Sequence, residues 1–91
     1  MALQGPLAAA DNLVGYDFPQ SYARICFARI DSETTLINVW WYADKAAREA
    51  NMSPVKQKEF ATPTTSLTGD IFPAMYAYLK TLPDFAGYID A

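Results

Sequence analysis

Histidine is absent from these 91 residues, and cysteine occurs once, at Cys26. The first absence removes any site built on imidazole, whether for metal binding or for acid–base work. The second removes an internal disulfide, and with it the stapled scaffolds of small secreted domains. Long apolar runs are also missing, since nothing approaches the roughly 18 consecutive apolar residues of a membrane span. The N-terminal stretch holds Leu3 and Ala8 to Ala10 without a basic region, so no signal peptide is expected. Synthesis in a reducing cytoplasm follows as the expectation. Cations are few and dispersed: Arg24, Arg29, Lys45, Arg48, Lys56, Lys58 and Lys80. They form no run that could serve as the electrostatic footprint of a nucleic-acid binder. The formal charge of −3 and a pI near 4.6 point the same way. Gly5, Gly15, Gly69 and Gly87 stand too far apart to cradle a phosphate, and no Walker, dinucleotide, EF-hand or zinc pattern occurs. The sequence therefore predicts no nucleic-acid or membrane partner, no small-molecule substrate, and no cofactor or metal.

What the chain does have is apolar material, at 52% of residues, with aromatics at 14%. That suffices for the core of one domain, although a domain so small buries a modest fraction of its surface. The richest stretch is Leu36-Ile37-Asn38-Val39-Trp40-Trp41-Tyr42. Side chains alternate along a strand, so Ile37, Val39 and Trp41 share one face while Leu36, Asn38, Trp40 and Tyr42 share the other. Residues 21–31 alternate likewise, placing Ala23, Ile25, Phe27 and Arg29 opposite Tyr22, Arg24, Cys26, Ala28 and Ile30. The polar Asp31-Ser32-Glu33-Thr34 between them lacks glycine and suits a four-residue loop. A hairpin over 21–43 follows.

Asp44 can cap a short helix over 44–51, which Asn51 and Pro54 would end. Residues 55–61 read as a third strand near an edge, guarded by Lys56 and Lys58. In residues 71–82, Ile71, Met75, Leu79 and Leu82 recur at helical spacing, with Pro73 in the first turn. Residues 13–18 suggest a short strand. Residues 1–12, broken by Gly5-Pro6, read as an extended N-terminal arm preceding a single domain over 13–91. The predicted class is α+β: a small antiparallel sheet packed against the C-terminal helix, with the short helix at one end.

Candidate chemistry is thin. Cys26 lies mid-strand between Ile25 and Phe27 with no histidine base, and reads as a small apolar residue, buried or half-buried. Asp31 and Glu33 solvate a turn, and Asp44 caps a helix at the hairpin's other end. No enzyme is expected. The aromatics are more informative, because Trp and Tyr favour positions dry at one end and wet at the other. Trp41, Phe27 and Phe72 are assigned to the core. Tyr22, Trp40 and Tyr42, on the opposite face, are the interface candidates. Leu3 and Leu7 of the arm and Phe85 and Tyr88 of the tail join them as docking residues.

The order of elements, with "YADKAAREANMSPV", the "KEF" strand and the ending "AMYAYLKTLPDFAGYIDA", resembles small virion-associated proteins of tailed bacteriophages, found among tail or baseplate components. The likeness runs from about Tyr22 to the end and rests on apolar positions and on "YLKTLPDFAG", not on a catalytic motif. It implies a non-enzymatic structural subunit of a virion, made in the bacterial host cytoplasm, whose partners are other virion proteins and copies of itself. A capsid decoration or cement protein, or a small intracellular binding or regulatory protein, are the alternatives.

Overall fold

The alternation over residues 21–43 folds as a hairpin, and the rest of the sheet is built outward from it. The computed structural model describes residues 2–91. Its strands are β1 (Leu3–Leu7), β2 (Phe18–Ile30), β3 (Thr34–Tyr42), β4 (Lys56–Pro63) and β5 (Ile89–Asp90). Helix α1 covers Lys45–Glu49 and α2 covers Ile71–Leu79. Neighbouring strands are all antiparallel, in the order β4-β3-β2-β1-β5. The fold is α+β, with the β2–β3 hairpin central and the helix α2 packed on the sheet, as the sequence predicts. The lysine-bearing strand β4 forms one edge.

One face of the sheet carries the core. Trp41 is fully buried at its centre and stacks on Phe85, with ring centroids 5.3 Å apart and planes 14° apart. Phe85 in turn meets Tyr88 edge-on at 5.2 Å. Burying rings of this size contributes about 1.5–3 kcal/mol each, which makes this cluster a principal anchor. Met75 and Leu79 of α2 are fully buried, and Ile71 and Leu82 pack against the same core. Tyr76 and Tyr78 flank that stripe: the Ile25 N–H donates to the Tyr76 hydroxyl at 2.9 Å, and the Tyr78 hydroxyl donates to the Ala61 carbonyl at 3.1 Å. Lys56 and Lys58 lay their stems along the open edge. Their ammonium groups sit 4.7 Å from the Trp41 ring and 5.2 Å from the Phe60 ring, and both face Asp84.

Several expectations are corrected. The N-terminal segment is not an arm lying apart from the domain, because residues 3–7 form β1, between β2 and β5. Gly5 makes this possible: a Cβ there would lie 2.5 Å from the Tyr88 ring. Pro6 sits, exposed, where the β1–β2 register shifts between Gly5 and Leu7, a bulge position that tolerates its missing N–H. Residues 13–17 are a loop instead of a strand. The Asn12 side chain organises it, accepting from the Val14 and Gly15 amides and donating to the Ala8 and Tyr16 carbonyls. Helix α2 stops at Leu79 because Pro83 disfavours a helical Leu82, whose ψ is 147°. Phe72 is exposed, lying beside the Ile71–Met75–Leu79 stripe instead of on it.

Candidate interaction surface

The second face of the sheet is open where no helix covers it. A β-bulge in β2 decides what this face displays. The β2–β3 register runs Ile25↔Val39 and then Phe27↔Asn38, so Cys26 is the extra residue. Alternation reverses beyond it. Ala28 turns to the core opposite Ile37, while Phe27 and Arg29 turn outward opposite Asn38 and Leu36. Phe27, expected in the core, is therefore 56% exposed, and Cys26, expected to be buried or half-buried, is exposed.

From one end to the other, the outer face presents Tyr22 beside Tyr42, then Arg24 beside Trp40 and Gln57. Next come Phe27 beside Asn38 and Glu59, and Arg29 beside Leu36 and Ala61. At the Tyr42 end the chain folds over the face. The Asp44 carboxylate accepts from the Ala47 N–H at 2.7 Å and starts α1. Asn51, at φ 57°, takes the left-handed conformation that ends it. The Val55 N–H then donates to the Trp41 carbonyl at 2.7 Å and returns the chain to the sheet. A cleft of about 480 Å³ results, floored by Arg24, Cys26, Trp40 and Tyr42 and walled by Arg48 and residues 51–54.

The electrostatics of the cleft differ from those of the whole chain. No carboxylate lines it. Among the described residues, neither Arg24 nor Arg48 has an acidic side chain within ion-pair distance. The Arg48 guanidinium lies 5.9 Å from the centre of the Tyr42 ring. Burial pushes the Tyr42 hydroxyl above its ordinary pKa, reinforced by Cys26 and opposed by Arg24, so it stays a neutral donor. The constellation offers two cationic forks, an aromatic floor and a lone thiol. Such a set can bind and orient a ligand, and it contains no paired acid and base.

Of the seven residues expected to dock, Tyr22 and Trp40 lie half-buried on this face. Tyr42 belongs to the same face but is buried beneath α1 and Arg48. The other four are corrected: Leu3, Leu7, Phe85 and Tyr88 are buried in the chain's own core, where β1 and the C-terminal segment close the sheet. Phe27, Arg24 and Arg48 also lie on this face or line its cleft, and reading the sequence did not single them out. Arg24 shares a face with Tyr22 in the simple alternation and was legible. Phe27 was not, because nothing local signals the bulge. No helix of the described residues is long and apolar enough to cross a membrane. No protein-family model, curated protein or solved structure matches the chain.

Proposed function

We propose that this chain is a non-enzymatic docking subunit that meets copies of itself, and other proteins of a virion tail or baseplate, through the outer face of its sheet. The observation that carries the proposal is the open Phe27–Leu36 end of that face. There an aromatic ring stands mostly in solvent, diagonally across the strand pair from a half-buried leucine, on a sheet whose other face already has its helix. The virion setting comes from the resemblance in element order, and the docking from the exposed face. A second reading, a small binding or regulatory protein that stays monomeric, is favoured by a separate observation: β1 and β5 occupy both terminal segments in the chain's own sheet.

Light scattering of the 91-residue chain over a range of concentrations tests the proposal. Self-association is expected, and Phe27→Glu should abolish it while circular dichroism stays that of the parent. A monomer at every concentration rejects docking between copies and leaves the second reading.

A further inference from the structure

Resting on the docking reading above, we propose that the cleft end of the outer face takes a short acidic segment of a partner protein. Its carboxylates would be held by Arg24 and Arg48, and an apolar or aromatic side chain would lie on Trp40. The argument begins with how the cations are used. Arg29 faces Asp31, Lys56 and Lys58 face Asp84, and Lys80 faces Asp90. The cations left without such a partner among the described residues are Arg24, Lys45 and Arg48. Arg24 and Arg48 line the cleft, and Lys45 stands three residues before Arg48 on α1, a neighbour on the helix surface. Asp44 and Glu49 stand four residues from Arg48 and Lys45 respectively, yet neither carboxylate lies within ion-pair distance of these cations.

A protein of net charge −3 thus gathers its unpaired positive charge around one aromatic cleft with no carboxylate in its lining. Arginine forks suit carboxylates bidentately and stack on aromatic rings, as Arg48 does on Tyr42. At about 480 Å³ the cleft has the size of an ordinary small-ligand pocket and accommodates a few residues. A single-stranded nucleic acid needs a positive groove that tracks its backbone. Beyond Arg24 this face runs instead into Gln57, Asn38 and Glu59, where the Asn38 amide donates to the Glu59 carboxylate, and the next cation along it, Arg29, faces Asp31. The footprint therefore fits one or two carboxylates and not a polyanion.

The test is an NMR titration of the full chain, reading its two indole N–H signals. The probes are a blocked peptide of alternating Glu and Phe, its Gln-for-Glu counterpart, and a ten-nucleotide oligothymidylate. The Glu peptide should shift the Trp40 indole. The Trp41 indole, which donates to the Tyr88 hydroxyl in the core, should not move. Added salt should weaken binding, and Arg24→Gln with Arg48→Gln should weaken it at least about tenfold, the loss of one charge-assisted hydrogen bond or more. An unmoved Trp41 signal in the double variant also reports that it is folded. No Trp40 shift at about 1 mM Glu peptide, an affinity floor for specific docking, overturns the proposal. Equal binding of the Gln peptide overturns the acidic specificity, and tighter binding of the oligothymidylate replaces the peptide with a nucleic acid. Light scattering reads self-docking separately, so a null titration with intact self-association rejects the acidic cleft alone.

Discussion

Removing the Tyr76 hydroxyl tests whether helix α2 helps to hold the β2 bulge, and with it the orientation of Phe27. At the residue where the β2–β3 register is about to shift, the Ile25 N–H donates to the Tyr76 hydroxyl of α2, at 2.9 Å. Ile25 is 4% exposed and Tyr76 5%, so water has little access to replace that acceptor. Tyr76→Phe keeps the ring and its packing and leaves a buried donor without its partner, a cost of about 1–3 kcal/mol. Taking about 2 kcal/mol, and 4–8 °C per kcal/mol for a domain of this length, the melting temperature should fall by about 8–16 °C. The assay is thermal and urea unfolding followed by circular dichroism, with the urea slope m compared to confirm that compactness is unchanged. Tyr16→Phe is the control: Tyr16 is 69% exposed in a loop, and its change should stay within about 0.5 kcal/mol. Hydrogen exchange at the Ile25 amide should also accelerate in Tyr76→Phe beyond what the global loss explains. A loss below about 0.5 kcal/mol would refute the reasoning, because the Ile25 amide would then have another acceptor and α2 would not pin the bulge.

Two further perturbations test how the termini close the core. Gly5→Ala places a methyl 2.5–2.9 Å from three atoms of the Tyr88 ring, whose hydroxyl is tied to Ser21 and Trp41. Overpacking costs about 1–3 kcal/mol, against about 0.4–1 kcal/mol regained from a stiffer unfolded chain. A net loss of about 1–2 kcal/mol in thermal or urea melts is expected, and a neutral or stabilising Ala would show that the ring can yield. Asp84 accepts from the Lys58 ammonium at 2.8 Å, and that hydrogen bond holds its carboxyl below the ordinary carboxylate range despite partial burial. A native pKa below the unfolded one stabilises the fold above the ordinary carboxylate range and stops doing so as pH falls through the lowered value. Asp84→Asn should therefore cost about 0.5 kcal/mol at pH 7, the worth of a solvent-screened pair, with the deficit closing as the pH falls below the ordinary carboxylate range. A deficit that does not change with pH would sink this assignment.

How far the sequence was legible follows from the range over which each feature is determined. The β2–β3 hairpin, the Asp44 cap, the left-handed Asn51 and the Met75–Leu79 stripe are set by neighbours a few residues apart, and each was readable from them. Gly5 was misread as a breaker because its role is a distant contact. Its missing side chain admits the Tyr88 ring from the far end of the chain, and that contact turns a supposed arm into an inner strand. Phe27 was misplaced for a related reason. Period-two reading of 21–31 is sound up to Ile25, and one extra residue then reverses every face beyond it. The side chain whose hydroxyl meets the Ile25 N–H where the register shifts, Tyr76, lies 51 positions away on α2. Both errors bear on function in the same direction. The termini that seemed free to dock are consumed by the core, and a phenylalanine assigned to the core stands on the open face. The proposed docking surface is thus smaller and more localised than alternation implies, with an apolar end at Phe27 and a cationic aromatic end at Arg24, Trp40 and Arg48. If Phe27 alone governs self-association while Arg24 and Arg48 alone govern the acidic peptide, these two ends act as separate sites on one sheet face.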